Sequence, residues 1–482
     1  MPSAPSTATV AVVGGGIAGL AAAWELARCG RPVTLLEAAP RCGGKIASER
    51  RGGFLVEGGP DSFVTRKPQA VELARRLGLG DRLVETREEN HRVRILHRGR
   101  LVDLPTDAGS ALPCRLAPIW GTQLLSWRGK LRLTLERVVP RRRAEGDESL
   151  GAFLRRRFGR EVMERFAGPV LAGIYLADPE TLSLAATFPQ FAEIERRHGS
   201  VLRAMAGGGG RGVPAPAAAR VSFAGGVGEL ADALAAALEG SATATLRTGC
   251  AVAALAAAGD GWSLTLGDGS ELRAAAVVLA TPAYVTAPLV APHAPETAAR
   301  LAAIRHVSTA SVTLGYRESD LSTPLDGFGF VVPAAEGRGI TACTWSSAKF
   351  AGRAEPGRAL LRAFLGGPRG ERWLECDDEG LVAIARRELA DLMGLTAEPL
   401  LTAVHRHRHG TPQYEVGHRE RIEAAEAALP AGLHLAGSAY HGIGIPDCIA
   451  SGARAAARVI HPPTRPNAPT APPAPPPASS PP

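Results

Sequence analysis

Residues 9–45 read TVAVVGGGIAGLAAAWELARCGRPVTLLEAAPRCGGK, and the reading of this stretch decides the fold. Thr9 to Val13 is a short, β-branched apolar run of the kind buried in a parallel sheet. It runs into Gly14-Gly15-Gly16-Ile17-Ala18-Gly19, which fits G-x-G-x-x-G, and then into a helical stretch from Leu20 to Arg28. Gly14 permits the tight turn, Gly16 lets the backbone approach a pyrophosphate, and Gly19 lets helix and strand pack closely. The helix N-terminus offers free N–H groups and a positive dipole end to phosphates. A second strand, Val33 to Leu36, ends at Glu37, at the spacing of an acid that holds a ribose 2′-hydroxyl. A 2′-phosphate would be repelled there, which leaves FAD or NAD. The continuation Arg41-Cys42-Gly43-Gly44-Lys45 favours FAD, because paired glycines let a second loop lie against a retained dinucleotide.

The rest of the chain is consistent with a soluble enzyme. Its 482 residues suffice for two or three domains, with 45% hydrophobic and 21% charged residues. A net charge of +8, mostly from arginine, suits an anionic substrate or a membrane surface but is too diffuse for nucleic acid. Seven scattered cysteines without a C-x-x-C read as reduced thiols rather than a metal site. No secretory leader and no spanning apolar run is visible, so the expected location is the cytoplasm, with at most peripheral membrane contact.

The pattern predicts an α/β fold in which a Rossmann-like domain is built from discontinuous segments, with a mixed-sheet substrate domain and a helical subdomain. The first nucleotide segment is 7–90. Within it Phe54 to Glu57 reads as a strand, Gly59-Pro60-Asp61-Ser62 as a turn at a strand end, and Gln69 to Leu77 as a helix. Residues 91–206 hold a hairpin (Arg92 to Leu104) and a helical, membrane-contact subdomain whose Arg155-Arg156-Arg157 reads as a solvated face. A flexible loop at 207–219 leads to a second nucleotide segment, 220–300, with strands at Trp262 to Leu266 and Ala276 to Thr281. The substrate domain occupies 301–427, with a helix from Asp378 to Met393. His405, His407 and His409 alternate as on one strand face, but no carboxylate or cysteine completes a shell, so no metal is expected. Residues 428–460 return to the nucleotide domain, with Gly442 to Pro446 as a close-approach loop and Asp447 as the cap of a helix from Cys448 to Ile460. The tail, 461–482, is Pro- and Ala-rich and reads as disordered.

Several stretches resemble the oxygen-dependent porphyrinogen oxidases of haem synthesis, within the flavin amine oxidase superfamily. They are the glycine loop, RCGGKI at 41–46, EGGPDSF with RKP at 57–68, LAGIYLADPETLSLAATFPQF at 171–191 and GFGFVVP at 327–333. ITACTW at 340–345, PQYEVGH at 412–418 and AGSAYHGIGIPDCIASG at 436–452 complete the set. GGPDSF with its Arg-Lys pair, and ITACTW, are more similar to the coproporphyrinogen III oxidase branch. Animal protoporphyrinogen oxidases have Arg where this chain has Asp61, which moves any propionate contact elsewhere. The resemblance implies FAD contacts at Gly14, Gly15, Gly16, Ile17, Ala18, Gly19, Glu37, Ala38 and Lys45. It adds Gly59, Pro60, Asp61, Ser62, Val252, Ile443, Gly444 and Ile445. It implies a cavity lined by Phe328, Val331, Phe364 and Thr411, with propionates held by Lys67 and by Arg92 or Arg94, between which the alignment does not choose.

The implied substrates are a tetrapyrrole and O₂, with haem-pathway enzymes as partners. Aromatising a porphyrinogen removes six electrons, matching three two-electron passes, each a hydride from a meso carbon to flavin N5 with loss of an N–H proton. O₂ then leaves as peroxide. The aromatic product supplies the driving force, so the protein positions the ring and excludes water, and no acid–base residue is nominated. Alternatives are protoporphyrinogen IX as the substrate, a flavin amine oxidase or carotenoid desaturase, and a non-catalytic FAD-holding partner.

Overall fold

The computed structural model describes residues 9–87, 92–105, 117–206, 219–368 and 370–462. Residues 207–218 of the expected loop and 463–482 of the expected tail lie outside the described residues.

A five-stranded, all-parallel sheet has the order Ala244–Arg247, Val33–Leu36, Val10–Val13, Ala276–Leu279, Leu433–Leu435. Its three central strands are fully buried and carry one polar residue, Thr34, because both faces are covered. Val10 and Val12 face a core with the helices Ile17–Arg28, Gly228–Glu239 and Ile445–Ile460. Ala11 and Val13 face a second core with Leu264, Trp262 and the helix Ala283–Val290. The first helix begins at Ile17, a turn earlier than expected, because Gly16 is its cap. The second core contains a three-stranded antiparallel sheet, Val252–Ala258, Gly261–Leu266 and Glu271–Ala274. Its outer strands went unpredicted because VAALAAA is alanine-rich and carries little strand propensity.

The seven-stranded mixed sheet has the order Leu401–Pro412, His306–Arg317, Arg358–Gly366, Ala342–Trp345, Gly329–Val331, Val93–His97, Arg100–Asp103. The hairpin closing its edge turns at Arg98 and Gly99, both at positive φ (53° and 73°), a two-residue turn whose twist matches the strands. One face, with Phe330, Cys343 and Ala363, packs on Leu381, Ala385 and Leu389 of the helix Asp378–Met393, whose bounds match the sequence reading. The opposite face carries, in one register row, Ile95, Val331, Ala342, Phe364, Ser311 and His405. Towards the end of the edge strand Leu401–Pro412, His409 adopts φ 47°, which breaks the alternation that would align three histidines. Among the described residues no group of His, Cys, Asp and Glu is arranged to hold a metal ion.

Residues 117–206 are helical over Trp127–Thr134, Leu150–Phe158, Gly168–Tyr175 and Pro189–His198, and Ser126 and Ser149 cap the first two of these. The expectation of a solvated arginine face is corrected here. Arg157 is fully buried, paired with the equally buried Glu136, and Arg156 bridges Glu148 and Glu195 at 2.7 and 2.5 Å.

Candidate active site

Three glycines of the first loop do three different jobs. A Cβ on Gly19 would stand 1.9 Å from the Gly14 carbonyl oxygen, so strand and helix touch there. Gly14 sits at φ 104° against the Ala280 backbone. A Cβ on Gly16, by contrast, meets no atom within 4 Å, so the space above it is free. Gly16 caps the helix without a side-chain bond, leaving first-turn N–H groups pointing into that space. Glu37 accepts from the Gly15 and Ala39 N–H groups at 2.5 and 2.8 Å, which fixes its carboxylate at the edge of the loop. Val252 starts the strand just beyond, where the Cys250 N–H bonds the Glu37 carbonyl.

The second loop crosses the first, with the Gly43 N–H donating to the Gly15 carbonyl at 2.8 Å. Lys45 follows, and its ammonium donates to the Gly410 carbonyl. Lys45 is exposed, yet it stands deep among protein atoms, and that burial pushes its ammonium pKa down. A side chain both crowded and open to water lines an internal recess. The turn Gly59 to Ser62 lies against it, since a Cβ on Gly59 would be 2.1 Å from the Lys45 carbonyl.

Charges behind this turn hold it from the mixed sheet. Lys349 Nζ donates to both Asp61 carboxylate oxygens at 2.9 Å, and Ser62 donates to the same carboxylate at 2.6 Å. Burial opposes ionisation of Asp61, but Lys349 and Ser62 outweigh it and hold the carboxyl well below the usual range. Arg362 donates to the Gly59 carbonyl at 2.6 Å and to Ser311 at 2.9 Å, on the sheet face that carries Val331 and Phe364. Sequence reading missed Lys349 and Arg362. The signal for Arg362 was present, because it sits two residues before Phe364 in the apolar run from Ala359 to Leu365.

The C-terminal loop completes the recess. Gly444, not Asp447, caps the helix Ile445–Ile460, which corrects the cap expectation. Pro446 takes up an early helical position where a missing N–H is harmless. Gly452 lets this helix cross the first one, with a Cβ there only 2.1 Å from the Ala18 carbonyl. Tyr414 ties the loop down, accepting from the Gly442 N–H and donating to the Ser438 carbonyl, both at 2.7 Å. His418 stacks on Tyr414 at 3.9 Å, and burial lowers its pKa to about 4, so it stands neutral.

The expected substrate residues divide. Val331 and Phe364 share one face through their common partner Ala342, Phe328 precedes the same strand, and Thr411 lies at the far edge opposite Val307. All four are half-buried. Lys67 reaches Asp447 of the C-terminal helix. Arg92 and Arg94 are not brought to that side. Arg94 pairs in register with Phe330, on the opposite face from Val331, and bonds Asp103 and Asp326 while Arg92 also bonds Asp326.

A parallel sheet whose first helix, and the helix Ile445–Ile460, both start at a glycine without a side-chain cap bond has the geometry of a dinucleotide-binding fold, and the free space above Gly16 fits FAD. The family model of flavin containing amine oxidoreductases matches residues 17–460, and the chain belongs to that family. It is a flavoenzyme with FAD as its cofactor. The chain is 37% identical to a coproporphyrinogen III oxidase of Propionibacterium freudenreichii subsp. freudenreichii, over 93% of this chain and 90% of that protein. It is 33% identical to the human protoporphyrinogen oxidase, over 95% and 99% of the two chains. A crystal structure from Exiguobacterium sp. 255-15, assigned as a protoporphyrinogen oxidase, superposes with a TM-score of 0.84 at 33% identity, covering 94% of this chain and 99% of that one.

Proposed function

We propose that this enzyme oxidises coproporphyrinogen III to coproporphyrin III in haem biosynthesis. The observation that carries the reading is full-length similarity to the Propionibacterium enzyme, above that to the human protoporphyrinogen oxidase. Gly14 to Gly19, Glu37, Ala38, Lys45, Gly59 to Ser62, Val252 and Ile443 to Ile445 would hold FAD. Bound FAD supplies a two-electron acceptor that O₂ restores with release of peroxide. The chain's own part is to orient the ring and exclude water. Phe328, Val331, Phe364 and Thr411 present the apolar wall, and Lys67 offers a propionate a charge-assisted hydrogen bond. Arg92 and Arg94 would serve a propionate only after leaving Asp326. The purified protein is expected to be yellow and to turn coproporphyrinogen III into a fluorescent porphyrin with peroxide formed. A colourless protein, or one inert to this substrate, would sink the reading. Higher kcat/KM on protoporphyrinogen IX would transfer it to that substrate, and peroxide formed only with amines would transfer it to amine oxidation.

Among the described residues no helix is long and apolar enough to cross a membrane. We propose a cytoplasmic enzyme that touches an anionic membrane surface through its helical region. Trp120, Trp127, Leu131, Leu135 and Val138 stand 46–73% exposed there. From Trp127 to Arg143 the chain carries arginines and a lysine, against one acid, Glu136, which is buried. Cosedimentation with phosphatidylglycerol vesicles is expected, and it should fall for Trp127→Ala with Val138→Ser. Equal binding to neutral phosphatidylcholine vesicles would refute the charge component.

A further inference from the structure

Lys67 and Asp447 meet across 380 residues of sequence, the ammonium donating to both carboxylate oxygens at 2.7 Å. The lysine side chain is 45% exposed and the aspartate 18%, so the cation is the mobile partner. Asp447 lies in the first turn of the helix Ile445–Ile460, where no side chain caps the N-terminus. Free N–H groups and the positive helix end therefore stabilise its negative charge whether or not Lys67 stays. The loop before it is shaped around this carboxylate: a Cβ on Gly442 would stand 2.5 Å from its carboxyl carbon, and one on Gly444 3.0 Å from Oδ2. Burial raises the phenol pKa of Tyr175, in the helical region, and the Asp447 charge nearby adds to the rise. The pair thus sits where the nucleotide domain, the C-terminal loop and the helical region meet.

We propose that Asp447 is an internal stand-in for a substrate carboxylate, which holds Lys67 in the empty enzyme and yields it to a propionate when the tetrapyrrole enters. The inference rests on the tetrapyrrole reading above and makes Asp447 a positioning and specificity residue. The exchange replaces one carboxylate by another on the same ammonium, so it costs little. A partly exposed pair of this kind shifts an equilibrium by no more than about fivefold. The competition lowers affinity for every carboxylate-bearing ligand equally, and so limits how tightly product is retained.

The test is equilibrium binding of coproporphyrin III to the FAD-loaded protein, read by fluorescence. Asp447→Asn is expected to bind the porphyrin about fivefold more tightly than the parent, and Lys67→Met to bind it more weakly by a similar factor. The double variant should match Lys67→Met, because Asp447 acts only through the lysine. Asp447→Ser is the second variant should the asparagine disturb the helix end, with the same tightening expected. A loss of mere packing would not tighten binding in any variant. Unchanged or weaker binding by both Asp447 variants, with the parent binding normally, overturns the inference alone. A double variant tighter than Lys67→Met overturns it too, by showing direct repulsion. Failure of the parent to bind coproporphyrin III overturns the tetrapyrrole reading and the inference together.

Discussion

Glu136→Ala is expected to lower stability by about 3–5 kcal/mol, the cost of leaving a buried charge without its partner. Glu136 and Arg157 are both fully buried. Arg157 Nε donates to Glu136 at 2.9 Å, and its other nitrogens bond the Val139 and Gly199 carbonyls at 3.0 and 2.9 Å. The carboxylate also accepts from the Ser200 hydroxyl and the Val201 and Leu202 N–H groups, so it ties three helical segments together. Alanine leaves three donors and the guanidinium charge without this carboxylate, and the remaining partners of Arg157 are backbone carbonyls and Glu195 at 3.4 Å. A double replacement by apolar residues of similar volume, Glu136→Leu with Arg157→Met, should cost much less, since no charge is left behind. Urea unfolding of the three proteins checks this. A single variant within about 1 kcal/mol of the parent would show that water reaches the pair.

Gly19→Val is expected to yield colourless protein, with FAD bound on the order of a hundredfold more weakly, equivalent to about 2.8 kcal/mol. The Cβ position is 1.9 Å from the Gly14 carbonyl oxygen and 3.2 Å from the Ala280 Cβ, so helix and loop have to separate. Separation moves the helix N-terminus away from the phosphates and also overpacks the core, a loss of about 1–3 kcal/mol in the apoprotein. Gly16→Ala separates the two effects. Its added methyl group meets no protein atom within 4 Å, so apoprotein stability should be unchanged while FAD affinity falls. Apoprotein melting and flavin titration measure the two quantities independently. Unchanged flavin affinity in Gly16→Ala would mean that the pyrophosphate does not lie over this glycine.

Part of the arginine network is legible in the amino-acid pattern itself. On the helix Leu150–Phe158 the apolar positions 150, 153, 154 and 158 form one stripe, and position 157 falls on it. Three consecutive arginines spread over some 200° of a helix, so one of them has to share the apolar face. Treating a charge run as solvated overlooks that geometry. Arg362 is the strand counterpart, an inward-facing cation in an apolar run. What neither pattern contains is the identity of the partner. Glu136 and Arg157 are 21 residues apart, and Arg362 and Gly59 are 303 apart.

The glycine loop, its helix, Glu37, the family resemblance and the helix Asp378–Met393 are all legible in the order of the residues. These follow from steric limits on glycine and from periods of two and 3.6 residues, which act over a few residues at a time. Tertiary structure alone decided that Val331 and Phe364 share a face that Arg94 does not, that Lys349 clamps Asp61, and that Lys67 rests on Asp447. Strand register and long-range ion pairing depend on which distant segments dock, and docking is settled by burial summed over the whole core rather than by any local preference.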